Sequence, residues 1–454
     1  MDKTVKFRRA FRMVALCMLA LLLPALSSCK QESVNVTDLL STVPSSSSVV
    51  MGINIESLLK KSGCKIEGSA IVPGNEVQAL LGSDSFKNSK DSKIIEVIFN
   101  GGSGIDPVGA ILFKDAYNEY LTFALADTDK FKSFIEQHSG ETFTDGGNDV
   151  QVCGNVAVKG AQAWIADGTT IDPKAVANYA SLGDGQSFMT KDFSDKIANM
   201  TTDFVGWGEI RKLLEDKMSM SERTTVMLIN GILFDEAQSI LFDVDMLKGE
   251  AKATFSVYNK EGKPAKYLLP SDKLNVETIK KVGPKANALV AVSITKELIK
   301  KLDSLLSSFG GEIEQTAKAL KSVDGTTAVA FENLSDMSVL KGVVTTDGKA
   351  GLDLMQLISS IAPTSKDGKL VLFSKGVVGG ELDVDKEAEN LKNATFGVVL
   401  SMASSFPDNH SFDGFKTLTV AFEPKGGSVE CDITLKAVDS SRNILLPIIE
   451  TLAK

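Results

Sequence analysis

Short apolar runs alternate with amphipathic runs along this chain, and the alternation predicts strands joined by helices. Residues 49–55 form an apolar run typical of a buried strand. An amphipathic run at 56–61 follows directly, and Gly63 stands where the helix would end, because glycine tolerates a left-handed C-terminus. The same pattern recurs at 288–294 and 295–301. Both segments therefore predict a strand that runs straight into a helix.

Two further patterns recur in the same order. The apolar runs 120–126 and 338–344 each pass through an Asp/Thr cluster, which suits a helix N-cap, into an amphipathic segment. Later, period-two alternation flanks glycine turns at Gly249 and at 426–427, which is typical of antiparallel hairpins. The strands of these predicted hairpins are 240–244 with 251–257 and 418–422 with 429–435.

These recurrences predict an α+β fold of antiparallel sheets flanked by helices, in two related halves. We place the halves at 44–279 and 280–454, the first carrying a helical insertion near 190–235. Hairpins with short turns favour antiparallel pairing over a parallel, doubly wound sheet. The alternative is one α+β domain whose strand–helix units merely look alike.

The first thirty residues are typical of a secretion signal. Five cations precede an apolar run at 13–23, which is shorter than the roughly 20 residues that a membrane-spanning helix needs. The run leads into Leu26-Ser27-Ser28-Cys29, which resembles a bacterial lipobox. We therefore predict a signal peptide at 1–28, cleavage between Ser28 and Cys29, a lipid on Cys29 and a polar tether at 29–43. The alternatives are an ordinary signal peptide with an incidental cysteine, or an uncleaved anchor.

This leader places the protein in the cell envelope, as an outer-membrane lipoprotein held to the membrane by its lipid. Whether it faces the periplasm or the cell surface stays open. The acidic composition, a net charge of −9 over 454 residues, argues against nucleic acid as a partner, because phosphate binding needs a positive face. Two His and two Trp leave little material for metal or acid–base chemistry. We predict no catalytic residue, metal site or cofactor.

Each candidate chemical group has a structural interpretation that we favour. His138 is expected at a helix end, where a cation interacts well with the helix dipole, and His410 in a surface loop. The glycine-rich run 101–104 follows a predicted strand at 94–99, but it matches neither phosphate-loop spacing and indicates a turn. Trp164 and Trp207 are expected in the core rather than as sugar-stacking platforms.

The acidic clusters and the cysteines also have structural interpretations that we favour. Asp127 with Asp129 and the run 383–387 lack the pattern of a calcium loop, and we interpret them as helix caps and solvated carboxylates. Cys64, Cys153 and Cys431 have spacings that match no zinc pattern, so we expect small buried hydrophobic residues. One disulfide among the three remains an open alternative in an oxidising compartment.

Three features of the sequence together resemble a known family: the leader, the Val43-Pro44 segment with its strand and Leu-Leu-Lys-Lys helix, and Gly104-Ile105-Asp106-Pro107. It is a lipoprotein family of gut Bacteroidetes, described only as a domain of unknown function (number 4836). The resemblance implies an extracytoplasmic lipoprotein with a two-part α+β body. It implies no catalytic residues, because none are assigned to that family.

Two functions follow from these observations. The first is a non-enzymatic binding or envelope-structural lipoprotein, whose partner would be a glycan or an envelope protein and whose default ligand position would be a crevice between the halves. The alternative is an extracytoplasmic hydrolase acting on glycan or peptide. Glycoside hydrolysis needs two carboxylates within about 10 Å of each other in a cleft, and a sequence does not show that separation.

Overall fold

The structure is a computed structural model that describes most of the chain after the leader. The described residues are 34–82, 97–168, 170–191, 193–215, 219–220, 234–267, 272–306, 319–333, 338–348, 352–405 and 412–445. The predicted signal peptide, Ser28, Cys29 and His410 lie outside them.

The strands are numbered in chain order through both parts of the molecule. Those up to the middle of the chain are β1 Val34–Asn35, β2 Val49–Ile53, β3 Lys65–Glu67, β4 Ala70–Val72, β5 Ile105–Lys114, β6 Glu119–Leu125, β7 Thr144–Gly147, β8 Val150–Cys153, β9 Val156–Lys159, β10 Gln162–Ala166, β11 Asn199–Met200, β12 Phe204–Glu209, β13 Phe234–Asp235 and β14 Ala237–Met246. The later ones are β15 Glu250–Asn259, β16 Lys266–Tyr267, β17 Lys285–Ala286, β18 Ala288–Ile294, β19 Val323–Phe331, β20 Leu340–Thr346, β21 Thr364–Asp367, β22 Leu370–Lys375, β23 Leu382–Asp383, β24 Phe396–Ser401, β25 Phe415–Lys425 and β26 Ser428–Ala437.

Most helices are short, and they follow or separate the long strands. They are α1 Thr37–Ser41, α2 Ile55–Lys61, α3 Asn75–Leu81, α4 Thr128–Ser139, α5 Pro173–Tyr179, α6 Ser194–Ala198, α7 Ile210–Glu215, α8 Val276–Lys280, α9 Lys296–Leu306, α10 Leu352–Ser359, α11 Val384–Asn390 and α12 Met402–Ser405, with one 3₁₀ turn at Phe188–Thr190. The predicted end of α2 is observed, since Gly63 follows it with a φ of 72°. At its start the Asn54 side chain, expected in the strand, accepts a hydrogen bond from Ser57 N and caps the helix.

The chain forms two compact units that are interleaved in sequence. The first takes the described residues within 1–223, 238–251 and 439–453, and the second takes those within 224–237 and 252–438. This division differs from the predicted boundary at 279 and 280, because the chain enters the second unit earlier and returns to the first at its end. A hydrophobicity pattern marks where elements lie and carries no information about which unit a terminal segment joins.

The first unit contains an antiparallel sheet in the order β7-β8-β9-β10-β6-β5-β2-β12-β14. Its two faces are covered by different helices. On one face Phe123 packs against Phe131 of α4 in the main core cluster. On the other face Phe113 and Tyr120 stack and meet Tyr179 of α5 edge to face. Strands β6 and β10 therefore contribute side chains to two apolar layers, which is why their burial is nearly continuous.

Seven strands of the second unit, β21-β22-β20-β19-β18-β24-β25, follow the same order as β9-β10-β6-β5-β2-β12-β14 of the first. The antiparallel sheet of the second unit runs β21-β22-β20-β19-β18-β24-β25-β26, and β15 pairs with β26. Helices α8 and α11 cover the face that carries Val343, while α10 covers the opposite face at Val344. A strand–helix pair, β2-α2 or β18-α9, stands at the same place in each order. Antiparallel sheets flanked by helices confirm the predicted α+β class.

Three local predictions need correction. Residues 34–43, expected as a tether, are packed: Leu40 and Val43 are fully buried, and β1 pairs with β11. The segment near 190–235, expected as a helical insertion, contains the helices Ser194–Ala198 and Ile210–Glu215, but between them lies strand β12, which pairs with β2 and β14. Residues 97–99, the end of the predicted strand at 94–99, are helical. For β1 and β12, pairing with distant parts of the chain overrides the local pattern.

Candidate functional sites

The acidic clusters serve as helix caps. The Asp127 carboxylate accepts a hydrogen bond from the Lys130 backbone N–H at 3.0 Å, and Asp383 accepts one from Lys386 N at 3.2 Å. The hydrogen bond from the Lys130 backbone N–H is the main cause of the lowered pKa of Asp127. The capping interpretation is confirmed for Asp127 and Asp383, because each accepts from an N–H group that the first helical turn leaves without a partner. Glu387, expected to be solvated, is instead buried and accepts a hydrogen bond from the Asn390 side chain.

His138 and the glycine-rich turn also occupy structural positions. His138 lies in the last turn of α4, where its Nδ1 is 2.7 Å from the Phe134 carbonyl oxygen and its ring contacts the Phe134 ring. In the run 101–104, Gly104 has a φ of 69° and lies against the backbone of Asp127 at the start of α4. A side chain there would collide with that backbone, so the glycine is required for close packing.

Both tryptophans are core residues. Trp164 is fully buried in β10, and Trp207 in β12 is 5% exposed. Trp207 stacks on Phe193 with ring centroids 5.4 Å apart and also contacts Phe188. Neither ring presents a face to solvent, so neither can stack on a sugar in this conformation.

The three described cysteines are free thiols rather than a disulfide. Cys64 and Cys153 are buried in the core of the first unit, and Cys431 is half-buried in β26. Burial raises the pKa of each thiol, to about 11 for Cys431. A raised pKa leaves little thiolate at neutral pH, so these side chains behave as the small hydrophobic residues expected from the sequence.

One cluster of charged side chains in the first unit is not among the sequence candidates. We call it the Asp203 cluster, and it consists of Asp203, Lys61, Asp245 and Ser57. Lys61 Nζ lies 3.0 Å from Oδ1 and 2.9 Å from Oδ2 of Asp203, and it also contacts the Asp245 carboxylate. Ser57 Oγ donates to Asp203 Oδ1 at 2.7 Å.

The Asp203 cluster is assembled from three separate segments. Ser57 and Lys61 lie one turn apart on α2, Asp203 immediately precedes β12, and Asp245 lies near the end of β14. The Met246 backbone N–H donates to Asp203 Oδ2 at 2.6 Å. The Asp203 side chain is fully buried, whereas those of Lys61 and Asp245 are 18% and 17% exposed.

Burial dominates the electrostatics of this cluster. Desolvation raises the pKa of Asp203 to about 6, and the opposing effects of Lys61 and of the hydrogen bonds from Met246 and Ser57 are smaller. The surroundings are apolar, since Leu58 and Leu445 are buried and pack with Phe204 and Met246.

The second unit has a different residue at the position of Asp203. Thr395 N donates to the Phe422 carbonyl and Thr395 O accepts from Ser293 N, just as Asp203 bonds to Val244 and Asn54. The backbone site is thus shared, and the carboxylate is specific to the first unit.

Sequence reasoning missed the Asp203 cluster for a clear reason. Lys61 and Asp203 are 142 residues apart, and each stands among ordinary polar neighbours. Lys61 belongs to the Leu-Leu-Lys-Lys run, where a cation at a helix C-terminus is already explained by the helix dipole. The only sequence signal was the position of Asp203, which directly precedes an apolar strand.

Two pockets are formed entirely by described residues of the first unit. One, of about 410 Å³, lies along α4 and is lined by Asp127, Lys130 and Gln137 among others. The second, of about 320 Å³, includes Thr42, Tyr179 and Thr190. Within the part of the chain described here, no three metal-binding side chains come together. Across those same ranges, no helix is both long and apolar enough to span a bilayer.

Comparison with known proteins gives a distant structural likeness. No protein-family model and no curated protein sequence matches the chain. Among solved structures, crystal forms I and III of TP0453 each match with a TM-score of 0.28 and 10% identity. They cover 77% and 78% of this chain and 95% and 97% of that chain. Crystal form IV of TP0453 matches with a TM-score of 0.27 and 12% identity, over 48% and 79%.

Proposed function

We propose that this protein is an envelope lipoprotein that acts by binding or by a structural role rather than by catalysis. The observation that carries the proposal is the leader, in which five cations and a short apolar run end at Leu26-Ser27-Ser28-Cys29. In this proposal the mature chain begins at Cys29, and acyl chains on that residue hold it to the outer membrane. Several acyl chains together give effectively permanent anchoring, because each buried CH₂ contributes about 0.8 kcal/mol.

The contacts of the described candidate groups support the non-enzymatic part. Asp127 and Asp383 cap helices, His138 bonds to its own helix, and the tryptophans lie in the core. A catalytic group must reach a substrate, and each of these side chains is held by a packing or capping contact instead.

The Asp203 cluster contains two carboxylates that lie close together. Asp203 and Asp245 both contact Lys61 Nζ, so the two carboxyl groups lie within the roughly 10 Å that glycoside hydrolysis allows. However, the Asp203 side chain is fully buried, with both of its oxygens hydrogen-bonded within the protein. A glycan could not approach it, so the pair gives no support to the hydrolase alternative.

Anchoring is tested by replacing one leader cysteine at a time in the full chain. Cys29→Ser should move the protein from the membrane fraction to the soluble envelope fraction, because serine has no thiol to carry the lipid. Cys17→Ser is the matched control, since Cys17 leaves with the leader and its loss should change nothing. Mass spectrometry of the native protein should find diacylglycerol on Cys29 as the N-terminal residue. An unmodified Cys29, or a leader still attached, would contradict the proposal.

The partner is sought with the anchored protein in place. Chemical cross-linking in intact envelopes should recover one recurrent envelope protein or glycan, and protease treatment of whole cells shows which side of the membrane the body faces. Repeated recovery of nothing would count against a binding role and leave anchoring untouched.

A further inference from the structure

The geometry of the Asp203 cluster points to a covalent bond within the chain. We propose that Lys61 Nζ and Asp203 Cγ become joined by an isopeptide bond, with Asp245 as the group that moves the proton. This inference concerns the first unit alone and does not depend on the lipoprotein proposal.

The reacting groups are already in contact. Lys61 Nζ lies 3.0 Å and 2.9 Å from the two oxygens of Asp203, so it is almost equally close to both and lies next to the Cγ atom that joins them. Attack on Cγ requires the amine to approach from above the carboxyl plane. Folding has already met most of the entropic cost of bringing the two groups together. Asp203 is held in place by Ser57 and by the Met246 N–H.

The reaction balances without any further reagent. Asp245 first carries one proton from the Lys61 ammonium to the Asp203 carboxylate, which gives an amine and a carboxylic acid. The amine attacks Cγ, so that one C–N bond forms. Asp245 then takes a second proton from the attacking nitrogen and gives it to the hydroxyl, the C–O bond breaks, and water leaves. An ammonium and a carboxylate are thereby converted into an amide and one water molecule, with no oxidant or reductant.

The surroundings favour each step. Burial makes the protonated form of Asp203 easier to reach than in water, because desolvation raises the pKa of this carboxyl group. The Ser57 hydroxyl and the Met246 N–H donate to the two oxygens, where negative charge develops in the tetrahedral intermediate. Leu58 and Leu445 limit the access of water that would otherwise stabilise the separate ions. The neutral amide also removes two charges from a buried position, where ions are costly.

The second unit supplies an internal comparison. At the matching backbone position it carries Thr395, whose hydroxyl donates to the Phe422 carbonyl oxygen at 3.3 Å. A threonine cannot form an amide with a lysine, so Asp203→Thr places at this site a residue that the same backbone arrangement accepts.

Peptide mapping of the full-length protein, purified from its native cells, tests the bond directly. After tryptic digestion, the peptides that contain Lys61 and Asp203 should appear as one branched species, lighter than their sum by one water, and trypsin should not cleave after Lys61. Asp203→Thr and Lys61→Arg should yield separate peptides at full mass. Asp245→Asn should leave most of the chain unlinked, because the proton-transfer group is gone.

Each result decides a specific part of the inference. Separate, full-mass peptides from the wild-type protein after prolonged incubation would show an ion pair only and would overturn the proposal. Full linkage in Asp245→Asn would overturn the role of Asp245. Circular dichroism of each variant shows whether it folds, and the wild-type digest alone remains decisive if a variant does not.

Discussion

At the scale of single residues, Asp172 and Asp383 play equivalent parts in the two units. Each precedes a seven-residue helix, α5 or α11, and each carboxylate accepts a hydrogen bond from a backbone N–H of the first turn. Helices this short gain little from their own internal hydrogen bonds, so a cap accounts for a large part of their stability.

We expect Asp383→Ala to lower the free energy of unfolding by about 1 kcal/mol, because the Lys386 N–H loses its acceptor. The matched control is Asp385→Ala, which removes the same charge from the first turn of the same helix without removing the cap. Urea denaturation of both variants measures the difference. Equal losses in the two variants would show that charge near the helix end, and not the hydrogen bond, is what matters.

At the scale of elements, two strand pairs are built around a glycine covered by a ring. Gly342 in β20 lies opposite Phe373 in β22, and Gly206 in β12 lies opposite Phe242 in β14. A Cβ atom at either glycine would overlap the facing ring. An aromatic ring over a strand glycine compensates for the side chain that the glycine lacks.

Gly342→Ala should therefore destabilise the second unit by about 1–3 kcal/mol, the usual cost of overpacking. Adding Phe373→Leu should recover part of that loss, because the smaller side chain leaves room for the new methyl group. The coupling energy from a double-mutant cycle in urea measures this.

Gly183→Ala is the control for the glycine effect, since the nearest atom to its added Cβ would be Gln186 Oε1 at an ordinary 3.6 Å. Additive effects of Gly342→Ala and Phe373→Leu would mean that the ring does not constrain the glycine.

At the scale of the whole molecule, the end of the described chain completes the first unit. The Gly249 N–H donates to the Arg442 carbonyl, and the Asn443 side chain donates to the Met246 carbonyl. Leu445 is 3% exposed and packs against Leu58 of α2. The stability of α2, near the start of the chain, thus depends on residues close to the other end.

Leu445→Ala should lower the free energy of unfolding by about 2–5 kcal/mol, the range for truncating a buried leucine. Hydrogen exchange should become faster in α2, although Leu445 is far from it in sequence. Val438→Ala is the control, because Val438 is close by in the chain and 62% exposed, and it should change little. Faster exchange in β26 with α2 unchanged would show that this terminal segment does not support α2.

The sequence could predict whatever depends on neighbours along the chain. The strand–helix pairs at β2-α2 and β18-α9, the cap at Asp383 and the helix-ending Gly63 all follow from local periodicity and backbone preference. The α+β class follows from the spacing of those elements. The leader is also a local signal, and the lipid on Cys29 stays a prediction.

Only the tertiary structure decided which distant segments meet. It packed residues 34–43 into the first unit, placed β12 between β2 and β14 in a sheet, and brought Lys61 to Asp203 across 142 residues. The physical reason is that burial and pairing energies depend on separation in space, not along the chain. Polar residues from three segments that meet in the fold therefore show no unusual pattern within any one segment. A pattern along the chain therefore identifies the elements, and the packing of those elements creates the site.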